Sequence, residues 1–239
     1  MRPPLLIGLL LFLTACGTIQ VATPAPTPEA IQIIYPSTLQ PWADDLSGCA
    51  GGNPLVALYF TQSISPDPGS YQNAIGLWFG NLASGSKNNF LSQVGKEQVV
   101  VVVNAGNSIS QLSAEQLHSV FSGQGTMQPL QVWVFPEGDP TRTLFDSVVL
   151  QSTPVTSEAM LAPDPAAMLE SVSKNPDAIG YLPKSILTTA DPALAGKLKT
   201  VQLEPALAAD LFQPVIAVTP SEPMGFMRSL LVCLETKKR

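Results

Sequence analysis

Five consecutive valines, Val99 to Val103, lie inside the run EQVVVVVN (97–104). Successive side chains of a strand point to opposite faces. A stretch that is apolar at every position must therefore be covered on both faces, as a central strand of a parallel or mixed sheet is. Such a sheet needs flanking strands and helices over its faces, and the rest of the chain supplies both. The runs IQIIY (31–35), PLVALYF (54–60), AIGLWF (74–79), LQVWVF (130–135), AIGYL (178–182), LKTVQL (198–203) and QPVIAVT (213–219) predict further strands. Between them, 37–50, 113–123, 140–151, 164–175 and 221–236 read as helices. Ser37 or Thr38 is the expected cap of the first helix. This alternation predicts an α/β fold.

The N-terminus, MRPPLLIGLLLFLTACG, places one arginine before an apolar run from Leu5 to Leu13. That run is shorter than the roughly 20 residues a membrane-spanning helix needs, and it has the form of a secretory signal. The following Leu13-Thr14-Ala15-Cys16 resembles the bacterial lipobox, in which cleavage before a cysteine leaves that residue to carry lipid. Residues 1–15 are thus an expected signal peptide and Cys16 an expected lipidation site, anchoring the protein to the bilayer at the outer face of the cell membrane. Residues 16–29, rich in Pro, Thr and Ala, read as a disordered tether.

Charged residues make up 13% of the 239, and the formal charge is −6. Clustered Lys and Arg, which affinity for a phosphate backbone requires, occur only in the terminal KKR, so nucleic-acid binding is not expected. Besides Cys16 there are two cysteines. Cys49 falls in line with Leu39, Trp42 and Leu46 on the first helix, and Cys233 with Phe226 and Leu230 on the last. Both face the core, either as a bridge joining these helices, which an exported domain favours, or as two separate buried thiols.

The stretch GDPTRTLF (138–145) has the form of a helix start built for an anion. The first turn of a helix carries unpaired N–H groups and a partial positive charge. Pro140 suits its first position. Thr141 offers a hydroxyl, and Arg142 a forked, charge-assisted contact. Asp139, which only accepts hydrogen bonds when ionised, is either part of that site or a surface cap paired with Arg142.

Three motifs, in order, carry a family resemblance. VVVVVNAGNSISQLSAEQLHSVFSG is similar to the centre of phosphate-type substrate-binding lipoproteins of ABC importers, with Asn104, Asn107, Leu112, Leu117 and Phe121-Ser122-Gly123 at the matching places. NPDAIGYLP (175–183) resembles the family's N-P-g-A-I-G-Y, and PEGDPTRTLF its r-e-x-G-S-G-T-R-x-x-F. The resemblance implies a two-lobed periplasmic-binding-protein fold of type II, with mixed sheets flanked by helices and a hinge of two crossing segments. Residues 30–104 and 204–239 would form lobe 1 and 105–203 lobe 2, hinged at Asn104–Asn107 and Leu203–Glu204. Both chain ends then share a lobe, as a Cys49–Cys233 bridge requires. The chain departs from the family pattern at three places. Asp139-Pro140 replaces Ser-Gly, no glycine loop follows the second strand, and Ala74 stands where an Asp is usual.

The expected function is therefore that of a monomeric, membrane-anchored lipoprotein that captures a small anion, phosphate or similar, between its lobes for the membrane subunits of an ABC importer. Ser37, Thr38, Asp139, Thr141 and Arg142 are the expected ligand-binding residues. The alternative is a binding-fold domain without a ligand that acts as an interaction or scaffold lipoprotein. No catalytic residue, metal or cofactor is expected. His118 is the sole histidine, and the S-x-x-K matches Ser84/Lys87 and Ser171/Lys174 lack the companion motifs of serine acylases.

Overall fold

The valine run is the second half of one long strand, and the two halves of that strand pair with different sets of strands. The structure is a computed structural model and describes residues 27–69, 71–80, 89–124 and 130–237. The signal, Cys16 and the tether up to residue 26 lie outside the described residues, as do Ser84 and Lys87.

The chain opens with β1 (Glu29–Tyr35), a 3-10 turn (Ser37–Leu39) and α1 (Gln40–Ala50), followed by β2 (Val56–Gln62), β3 (Ala74–Phe79) and the long β4 (Phe90–Asn104). Next come β5 (Gln111–Leu112), α2 (Ala114–Ser122), β6 (Gln131–Val134) and α3 (Pro140–Phe145), which runs into a π turn (Asp146–Leu150). Then follow β7 (Met160–Leu161), α4 (Pro165–Lys174), β8 (Ala178–Pro183), α5 (Lys184–Thr189), α6 (Pro192–Ala195), β9 (Leu198–Thr200) and β10 (Gln202–Leu203). The chain ends with α7 (Pro205–Asp210), β11 (Phe212–Thr219) and α8 (Gly225–Thr236).

β4 begins seven residues before the predicted strand. Its first half, 90–98, pairs antiparallel with β11, in a sheet that continues β3-β1-β2 with β1 parallel to both neighbours. At Val99 it changes partner: Val99–Val103 pair antiparallel with β8, which runs parallel to β6, and β9 takes the other edge. The valine half is buried and the first half is partly exposed, as its mixed sequence FLSQVGKEQ requires. The expected mixed sheets flanked by helices are thus present. LKTVQL (198–203), read as one strand, is two, because β9 pairs with β4 and β10 with β5.

Packing explains two local features. A Cβ on Gly76 would lie 1.8 Å from the Pro66 carbonyl oxygen, so the 63–69 loop crosses β3 where only glycine fits. At β8, Phe145 stacks on Tyr181 with centroids 3.8 Å apart, and Phe121 and Phe135 pack around them. The described helices include none long and apolar enough to cross a membrane. α1 packs against α8, and the Cys49–Cys233 disulfide joins them across a sequence separation of 184.

Candidate functional site

The start of α3 carries the cradle. Gly138 has φ +88°, the left-handed region, and turns the chain so that Asp139 becomes the N-cap. Its carboxylate accepts from Thr141 N–H at 2.8 Å and Arg142 N–H at 3.4 Å. From the turn after β1, the Thr38 hydroxyl donates to the same carboxylate at 3.2 Å. Thr38 therefore does not cap the first helix, whose opening 3-10 turn has no side-chain cap. It serves as a clasp between β1's C-terminal turn and α3.

Asp139 and Thr141 are buried, 3% and 0% exposed. Asp139 is thus not the surface cap considered from sequence. The buried Thr141 hydroxyl faces the same carboxylate without a hydrogen bond of normal geometry. Arg142 contributes its backbone N–H here, while its guanidinium turns away: Nη1 donates to the Phe135 carbonyl at 2.8 Å and Nε pairs with Asp146 at 3.2 Å. Ser37 stands outside the cradle, in a crevice of about 460 Å³ shared with Gln40, Asp44, Gln62, Asp164 and Thr189. Two carboxylates and no cation line that crevice among the described residues, so it does not favour an anion. Ala74, at the place where an Asp is usual, is fully buried in β3 and offers no polar group.

Burial pushes the Asp139 carboxyl above its ordinary range, against the opposing pull of the Thr141 and Arg142 N–H groups and the Thr38 hydroxyl. Asp146 is raised as well, again by burial first, with Arg142 opposing. For a carboxyl raised in the folded state, the native chain binds the extra proton. The stability it contributes is present below its unfolded value near 3.8 and is lost as pH rises through the folded value. Asn caps a helix as well as Asp does and does not titrate. Asp139→Asn is therefore expected to gain stability relative to the wild type as pH rises from 4 to 8. Thermal melts of both proteins across that range check the sign; a difference that shrinks with pH would contradict it.

Other residues singled out in the sequence have structural partners. His118 meets the Thr153 hydroxyl at 3.2 Å, and Lys174 pairs with Glu170 rather than with Ser171. No group of acidic, His or Cys side chains able to hold a metal occurs among the described residues. Sequence reading passed over Glu97. Buried at 5% exposure, it accepts from Trp42 Nε1 at 2.8 Å and from the Gln98 and Ser185 N–H groups at 3.0 and 3.3 Å, linking α1, β4 and α5. Its only signal is a charge set against an all-apolar run. Tyr181 was likewise missed: burial first, then the charge of Asp146, holds its hydroxyl well above the ordinary tyrosine range.

No known protein family and no curated protein matches this sequence. Solved structures do. A protein from Clostridium perfringens, described as a phosphate ABC transporter substrate-binding protein with bound phosphate, superposes with a TM-score of 0.72 at 16% identity, covering 86% of this chain and 93% of that one. An ABC-type phosphate transport receptor from Vibrio cholerae gives 0.63 at 17% identity, with 87% and 94% covered. The OxyR2 regulatory domain of Vibrio vulnificus gives 0.66 at 9% identity, with 87% and 97% covered. The fold of this chain is therefore the two-lobed type II periplasmic-binding-protein fold, that of the phosphate-type substrate-binding proteins of ABC transporters.

Proposed function

We propose that this chain is an exported lipoprotein, tethered through Cys16 to the outer face of the cell membrane, whose binding domain is held shut by its own Asp139 and serves as an interaction or scaffold domain rather than as a phosphate carrier. The observation that carries this reading is the Asp139 carboxylate itself, seated on the N–H groups of Thr141 and Arg142 and clasped by Thr38. Those donors are the ones an oxyanion would need. Pro140, which lacks an N–H, supplies no further donor. A phosphate dianion set about 4 Å from an ionised carboxylate is opposed by roughly 8 kcal/mol at an effective dielectric of 20, a loss that two or three hydrogen bonds do not offset. The disulfide supports export to an oxidising space. The use of the same fold in a domain described as regulatory supports a role other than transport.

A second reading is favoured by the convergence of donors from both lobes and by the raised Asp139. In it the lobes of a monomer close on a small anion such as phosphate, for the membrane subunits of an ABC importer, when Asp139 is protonated or swings aside. Calorimetric titration of the wild-type protein with phosphate and sulfate at pH 7.5 and 5 tests the two. The proposal expects no saturable heat that Thr38→Val removes, at either pH. Such heat, strengthening at pH 5, supports the carrier and overturns the shut domain.

A further inference from the structure

A cavity lined by none of the cradle residues lies where β4 changes partner. It has a volume of about 790 Å³, within the range of pockets that hold small organic molecules. Its walls come from α1 and the chain end after α8 on one side and from α5 on the other, with β4 and the first residue of β11 at its base. We infer that this cavity is a binding site for a small organic anion with a flat or apolar portion, a carboxylate or a phosphate monoester, gripped by Lys96 and Lys184. The inference is independent of what occupies the cradle.

Charge is the first argument. Lys96, Lys184 and Lys237 converge on this cavity in a chain whose formal charge is −6. Both carboxylates in the lining are already engaged. Glu97 accepts three N–H donors, and Asp45 takes Lys237 Nζ at 3.0 Å. The ammonium groups of Lys96 and Lys184 outnumber the one lining carboxylate, Glu97, that no cation neutralises, and neither lysine forms an ion pair among the described residues. Shape is the second argument. Phe212 is 43% exposed, with Lys96 Nζ 5.5 Å from its ring centroid, so an aromatic face and a cation stand side by side. A ring on the solute can lie against Phe212 while its charged group reaches the lysines.

Phenyl phosphate is a suitable probe, with inorganic phosphate as the comparison, titrated calorimetrically into the full chain at 50 mM salt. Saturable binding of phenyl phosphate is expected, at least 10-fold tighter than inorganic phosphate and weakening with added salt. Lys184→Gln is expected to weaken it about 10-fold. Lys184 is exposed, so its replacement leaves the fold intact; Lys96→Gln gives the same reading from β4. Loss of binding in the two lysine variants, neither of which lines the cradle, separates this site from it. No saturable binding, or affinity unmoved by both lysine variants, overturns the site. Equal affinity for the two phosphates overturns the role of Phe212.

Discussion

Reducing the Cys49–Cys233 bridge is expected to lower the melting temperature of the domain by about 10 °C. The bridge closes a loop spanning 184 residues, nearly the whole folded chain. In the chain-entropy account, a closure of that length removes about 5 kcal/mol of disorder from the unfolded state, and native bridges of this kind contribute roughly 2–5 kcal/mol in practice. For a domain near 200 residues, each kcal/mol moves the melting temperature by about 2–4 °C. The bridge also fixes α1 to α8, with the Lys237–Asp45 pair beside it. That pair is partly exposed and adds little. Melts with and without reductant, and of Cys49→Ser, measure the effect. A shift under 2 °C in both would show that the bridge does not constrain the unfolded chain as described.

Replacing Asp139 with serine is expected to create oxyanion binding. The substitution removes the carboxylate but keeps a capping oxygen, so α3 retains its start. It frees the Thr141 and Arg142 N–H groups and the Thr38 hydroxyl, and it leaves the unpartnered Thr141 hydroxyl facing the vacated position. With the repulsion removed, phosphate affinity is expected to rise at least about 100-fold, equivalent to about 2.7 kcal/mol. Pro140 still withholds one donor, which limits the gain. Calorimetry on Asp139→Ser beside the wild type reads the change directly. If neither protein binds phosphate, the donors at Thr38 and α3 do not form an anion cradle.

The architecture was legible because it rests on long, strongly patterned segments. The valine run dictated a strand covered on both faces, and the positions of Cys49 and Cys233 on helical faces left a bridge or two separate thiols open, of which the structure has the bridge. The partner change at Val99 was not legible, since it depends on which strand lies alongside rather than on any residue of β4. Of the five residues expected at the site, Thr38, Asp139, Thr141 and the Arg142 N–H come together, while Ser37 lies in a separate crevice. Asp139 and Thr38 are 101 positions apart, and nothing local says that they meet. Arg142 has the residue type an anion site needs. Its orientation is set by the Phe135 carbonyl and Asp146, and both lie within reach only once α3 has formed. Glu97 and Ser185 escaped notice for the same reason: buried polar residues acquire their meaning from partners far along the chain.

The most direct measurement is a crystal structure of the protein grown or soaked in 50 mM phosphate near pH 7.5. The account expects the Asp139 carboxylate against Thr38 and the start of α3, with no phosphate there. A phosphate ion held by Thr38 and the Thr141 N–H, with Asp139 swung out of the cradle, would contradict it.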